Sequence, residues 1–177
     1  MSVYPYCERV PYTIAIQFGT KALHIVDKYF ESNHINNRVG HHISVKYLGY
    51  EDNVSTEKIE RILGILRSKR LSKEPIEVLG FDVMEKSDSF FSDLLFLRVE
   101  PQKYLHNLHY QMIEMLKENI DIFLSNDYNN YIPHISCGVC PYRFRLKEIN
   151  KVLFNKKRII SDWDLVLHTS KKEYHLF

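Results

Sequence analysis

The rhythm of apolar and polar residues along this chain switches repeatedly between a period of two and a period near 3.6. Thr13-Ile14-Ala15-Ile16-Gln17-Phe18 alternates and predicts a strand. Residues 21–33 then place Ala22, Ile25, Val26, Tyr29 and Phe30 at helical spacing. Asn36-Asn37 marks a loop, and residues 41–48 alternate again until Gly49 ends that strand. Ser55 stands where a helix cap is needed, ahead of a helix carrying Ile59, Ile62, Leu63 and Leu66.

The second half repeats this grammar. Residues 75–85 and 91–99 predict two strands around the polar turn Lys86-Ser87-Asp88. Pro101 suits the first position of a long helix carrying Leu105, Leu108, Met112, Met115 and Leu116. An asparagine-rich loop, residues 126–130, precedes another alternating strand that begins near His134. A short helix over residues 146–154, a strand over 159–167 and a last edge strand at Tyr174-His175-Leu176 complete the pattern. Strand, helix, asparagine-rich loop and strand thus occur twice, offset by about half the chain. The pattern predicts one α+β domain over residues 1–177: two intertwined, pseudo-symmetric lobes of a duplicated fold, with antiparallel sheets flanked by helices and a cleft between the lobes.

The two loop-following strands carry the same chemistry. His42-Ile43-Ser44-Val45-Lys46-Tyr47-Leu48-Gly49 and His134-Ile135-Ser136-Cys137-Gly138-Val139 each set a histidine two residues before a serine, with apolar residues between. Strand geometry puts His and Ser on one face and the apolar residues on the other. An imidazole titrates near neutrality and serves as general acid or base. Displacement at phosphorus needs one group to take a proton and another to give one. Two hydroxyls, Ser44 and Ser136, supply donors for the charged phosphoryl oxygens. His42 and His134 are therefore the predicted catalytic pair, and Lys46, of the same parity as His42, is expected to add positive charge at the cleft edge. No metal and no cofactor are called for. A third His-x-Ser, His168-Thr169-Ser170, lacks the apolar alternation and suggests a strand end.

Composition narrows the setting. The 45% hydrophobic and 13% aromatic content is that of a folded globular domain. No apolar run reaches membrane-spanning length, and the N-terminus lacks the basic start and apolar block of a secretory signal. Three cysteines, an odd number, argue against a disulfide framework. A cytoplasmic protein is expected, monomeric, with no membrane and no stable protein partner. A net charge of +2 suits a small nucleotide or oligonucleotide substrate better than long structured RNA. A basic stretch between Pro141 and Ile160 (Arg143, Arg145, Lys147, Lys151, Lys156, Lys157 and Arg158) is either a solvated face or a wall beside a phosphorylated ligand.

The two motifs resemble those of the 2H phosphoesterase superfamily, which includes bacterial RNA 2′-5′ ligase/cyclic phosphodiesterases and viral and host 2′-5′ oligonucleotide phosphodiesterases. The family's first motif runs His, apolar, Thr or Ser, apolar, basic, aromatic, Leu, Gly, and residues 42–49 match it throughout. The second has Pro before His, as in Pro133-His134-Ile135-Ser136. The likeness follows order and spacing over nearly the whole chain, to a closing strand with Leu165-Val166-Leu167. Serine replaces the commoner threonine and keeps the hydroxyl. The resemblance implies a metal-independent phosphodiesterase working through His42 and His134. A 2′-5′ linkage leaves a free 3′-hydroxyl as internal nucleophile, so 2′-5′ oligoadenylate or 2′,3′-cyclic GMP-AMP is the expected substrate. Richness in Ile, Asn, Lys and Tyr is compatible with an AT-rich genome, as in some viruses, and suggests an antagonist of host innate immunity acting in the host cytoplasm. The alternatives are an RNA-processing 2′,3′-cyclic phosphodiesterase and a non-catalytic nucleotide-binding module of the same fold.

Other residues carry two readings. Tyr131 and Tyr142, with Phe144, are placed to stack on nucleobases, although packing is the ordinary role of such aromatics. His41 has the opposite parity to His42 and is expected to be structural. His106 and His109 have the spacing of helical metal ligands but lack evident further ligands. Cys137 and Cys140 form C-x-x-C within a strand, a structural rather than redox setting.

Overall fold

Eight strands join edge to edge in the order β6-β3-β4-β5-β2-β1-β7-β8, every described pairing antiparallel. The computed structural model describes residues 11–50, 55–69, 71–84, 93–117, 131–141, 144–169 and 173–176. In chain order the strands are β1 (Pro11–Phe18), β2 (His42–Tyr50), β3 (Ile76–Met84), β4 (Leu94–Glu100), β5 (His134–Val139), β6 (Arg158–Ile160), β7 (Trp163–His168) and β8 (Glu173–His175). The helices are α1 (His24–Ser32), α2 (Thr56–Ser68), α3 (Gln102–Lys117) and α4 (Leu146–Leu153). The strands of both halves thus share one sheet, folded about a pseudo-two-fold axis between β2 and β5. The turn at residues 86–88 and the loop at 126–130 lie outside the described residues.

Ser55 caps α2 as expected, its side chain accepting from the Lys58 N–H at 3.2 Å. Helix α1 has no side-chain cap and is held by burying Val26 and Phe30. One face of the sheet is the core, where Ile14, Ile16, Ile43, Leu97, Ile135 and Leu165 are fully buried. The helices cross between halves. Helix α3 packs on β2, and Phe30 of α1 meets Phe81 of β3 with ring centroids 5.7 Å apart.

One predicted element divides. Residues 159–167 hold two strands, β6 and β7, broken at Ser161-Asp162. Strand β6 pairs with β3 and β7 with β1, in opposite halves of the sheet. A two-residue link spans only about 10 Å. The sheet must therefore curl until its two halves nearly meet, and the curl is what a linear reading of apolar alternation misses.

Candidate active site

Strands β2 and β5 touch through Ile43 and Ile135, both with no exposure. One step either way along that antiparallel register faces His42 with Ser136 and Ser44 with His134. Opposed residues have Cβ atoms about 4.5–5.5 Å apart and diagonal ones about 7–8 Å. The two imidazoles lie on a diagonal, with a hydroxyl opposite each. All four side chains are on the face away from the core, and both serines are exposed.

Each strand bulges just after its serine. Along β1 and β2, Ala15 pairs with Ser44 but Ile14 with Lys46, so Val45 is an extra residue. Along β4 and β5, Phe96 pairs with Ser136 and Leu94 with Val139. Gly138 takes the strained turn there at φ 92°. The first bulge corrects the expectation for Lys46. Parity reverses at Val45, so Lys46 sits beside the core residue Ile14 at 1% exposure rather than at the cleft edge. The same reversal brings Tyr47 opposite Thr13, on the face of the histidines. Tyr47 is thus a site-face residue that strand parity hides.

Carbonyls displaced from the ladder by the bulges are taken up across the pseudo-two-fold. The Tyr131 hydroxyl donates to the Ser44 carbonyl at 3.0 Å, and His109 Nδ1 donates to the Val45 carbonyl at 2.6 Å. In the other half, Asn37 Nδ2 donates to the carbonyls of Cys137 and Val139 at 2.7 and 2.8 Å. Each half therefore clamps the other's bulge. Tyr131, expected as a base-stacking residue, has its ring stacked on His109 (4.0 Å, 8°) and edge-on to His106, and its hydroxyl also ties down the Ser44 backbone. Tyr142 lies outside the described residues. Tyr131→Phe should lower stability by about 1 kcal/mol and weaken turnover, as denaturant titration and steady-state kinetics would show. Unchanged kcat would mean that Ser44 needs no brace.

The two histidines are held alike but surrounded differently. His134 Nδ1 donates to the Ile132 carbonyl at 2.7 Å, leaving Nε2 for chemistry. The His42 ring bonds the Gly40 carbonyl at the same two-residue offset. A side chain at Gly40 would be a tight fit, since a Cβ would lie 3.1 Å from the Ser136 carbonyl that its own N–H bonds at 2.8 Å. Burial, followed by His168, pushes His42 below the ordinary imidazole range; the Gly40 carbonyl and Glu173 oppose this, and His134 adds a small push downward. His134 has instead the edge of the Phe96 ring, 5.4 Å away.

Three groups beyond the motifs share this face. His168 lies at the end of β7, as its sequence suggests, yet Thr13 pairs with both His168 and Tyr47 and so carries it to the site. Its ring is 5.5 Å from that of His42. Arg98 of β4 pairs directly with His134 and forms an ion pair with Asp82 at 3.5 Å. Phe96 pairs with Ser136. The polar positions flanking Val99, Arg98 and Glu100, were the sequence signal for Arg98, and it needed the register to acquire meaning.

The remaining candidates resolve elsewhere. His41 Nε2 meets Asp27 at 3.0 Å, a contact between β2's start and α1. His106 and His109 serve Tyr131, and no group of three or more His, Cys, Asp or Glu among the described residues could hold a metal. Burial raises the thiols of Cys137 and Cys140, making both poor nucleophiles. In the basic stretch Arg145 pairs with Glu148, Lys157 with Glu77, and Arg158 bonds the Leu153 carbonyl. Its strand β6 ends the sheet, three strands from β5, and Arg143 lies outside the described residues. No helix among the described residues is long and apolar enough to cross a membrane.

No family model and no curated protein matches the sequence. The fold does have solved counterparts. TT0787 of Thermus thermophilus aligns with a TM-score of 0.58 at 13% identity, over 94% of this chain and 98% of that one. E. coli LigT, solved with 3′-AMP, aligns at 0.54 and 14% identity, over 95% of this chain and 94% of that one. A protein described as a phosphoesterase aligns at 0.53 and 15%, over 95% and 94%. LigT is a 2H phosphoesterase, and the chain has its α+β fold, as the two motifs implied. At such identities the likeness is one of fold.

Proposed function

We propose that this protein is a metal-independent phosphodiesterase that cleaves 2′-5′-linked nucleotide signals by two-histidine acid–base catalysis. One observation carries the reading: the β2–β5 register sets His42 and His134 on a diagonal, with Ser44 and Ser136 opposite them on the same face. A phosphate seated between them meets a base on one side, an acid on the other and two hydroxyl donors for its free oxygens. The ribose 3′-hydroxyl beside a 2′-5′ linkage attacks phosphorus and gives up its proton. The leaving 5′-oxygen receives one, and a 2′,3′-cyclic phosphate end results. Both proton transfers are within the means of the two imidazoles. The fold supports this class of chemistry through its likeness to LigT, which has been solved with 3′-AMP and with ATP.

The substrate reading rests on chemistry: the linkage itself supplies the nucleophile, and the modest charge of +2 suits a short ligand. The role it assigns is removal of 2′-5′ oligoadenylate or 2′,3′-cyclic GMP-AMP in a host cytoplasm. Incubation without added metal with 2′-5′-linked, 3′-5′-linked and 2′,3′-cyclic phosphate substrates tests it. Cleavage confined to the 2′-5′ set is expected. Opening of cyclic phosphates alone would establish the RNA-processing alternative, and no cleavage of any of them would leave a binding module.

A further inference from the structure

His42 is buried against a group that the two-motif chemistry does not use. His168 projects from the last position of β7, and its ring lies 5.5 Å from that of His42, tilted by 50°. Both of its nitrogens are gripped. Nδ1 is 3.1 Å from Glu173 Oε1 on β8. Nε2 is 3.1 Å from Gln17 Oε1 on β1. The Gln17 amide nitrogen faces the Phe18 carbonyl at 3.4 Å, which turns the amide oxygen toward His168. Both partners of His168 are therefore oxygen acceptors, and the arrangement is complete when both ring nitrogens carry protons. The pseudo-symmetric counterpart of His42 is set differently: His134 faces the edge of Phe96 and pairs across the ladder with Arg98, whose guanidinium is engaged by Asp82 at 3.5 Å.

We propose that His168 is a positioning residue of this site, a third histidine that Glu173 and Gln17 hold against His42 so that His42 meets the substrate as the uncharged base. Two cations at this separation repel one another, so a proton on His168 disfavours a second on His42. Among the described residues, the charged and titratable groups acting on His42 are His168 from β7, Glu173 from β8 and His134 from β5. The neighbour from β1, Gln17, is uncharged. Glu173 acts the other way on His42, but it is the anchor that keeps the His168 ring in place. The duplicated motifs are thus chemically alike, while their surroundings assign base work to one and leave acid work to the other.

The word base rests on the proposed phosphodiesterase reading, so the test reads His42 itself. NMR titration of the His42 ring protons is compared in the wild-type chain, in His168→Gln, which keeps polar contacts without a titrating ring, and in His168→Phe, which keeps a flat ring without nitrogens. In both variants the His42 midpoint should rise by roughly half a pH unit or more. The acidic limb of the pH–rate profile should move up with it. An unmoved His42 midpoint in either folded variant overturns the proposal. So does unfolding of both variants, which would make His168 a structural member of the sheet. A shifted midpoint in a chain that cleaves no phosphodiester would overturn the function and leave the coupling standing.

Discussion

Alanine at either His42 or His134 should lower kcat for cleavage of a 2′-5′ linkage by about 10²–10⁴-fold while the chain stays folded. Both side chains sit on the solvent side of the sheet, and neither belongs to the core cluster. Their removal deletes a proton carrier without opening a cavity under the strands. In the proposed mechanism each imidazole performs half of one displacement. The double variant should therefore be scarcely slower than the worse single one. KM should change far less than kcat, since the serines and the opposed backbone remain. The pH dependence follows from the surroundings of His42. Its ring is held below the usual imidazole range, chiefly by burial. With His42 as base, the rate falls only when the pH drops through that lowered value, so activity persists below the pH at which a free histidine would be protonated. Steady-state kinetics from pH 5 to 8 would show this, and wild-type turnover in either alanine variant would sink the two-histidine mechanism.

The residues behind that prediction were legible because the signals were local. A strand of alternating residues declares its faces, and two copies of His-x-Ser in the same alternating context declare a shared one. Helix positions were legible for the same reason: Ser55 and the apolar stripe of α2 announce themselves within one window. What stayed hidden depends on partners distant in sequence. A bulge is a mismatch between two strands, so Val45 gives no sign in β2 that Lys46 will turn into the core and Tyr47 out of it. The contacts of Tyr131 were hidden because its partners, His109 and the Ser44 carbonyl, belong to other segments. His168 was visible as a third copy of the motif, but only β1, lying between β2 and β7, makes it a neighbour of His42. The break at Ser161-Asp162 was likewise invisible, because both flanking strands are apolar and only the closure of the sheet separates them.

A core change should reach the chemistry through the same register. Ile43 and Ile135 are the pair through which β2 and β5 meet, both fully buried, beneath the four side chains of the proposed site. Ile135→Ala removes buried methyl groups and leaves a cavity, at a cost of about 2–5 kcal/mol. Ile62→Ala on α2, equally buried, should cost a similar amount at a place remote from the site. The two variants then part company in kinetics. With little backbone pairing between β2 and β5 to fix their spacing, loss of the Ile135 side chain lets the strands shift, and His134 and Ser136 shift with them. A misplacement of about 1 Å is enough for a loss near 10²-fold in rate. Ile135→Ala should therefore lose kcat at temperatures where it is still folded, while Ile62→Ala keeps it. Denaturant titration gives the stabilities, and kinetics well below each midpoint gives the rates. Equal kcat in the two variants would show that the diagonal of histidines is held by the bulge clamps at Tyr131 and Asn37 rather than by the Ile43–Ile135 contact.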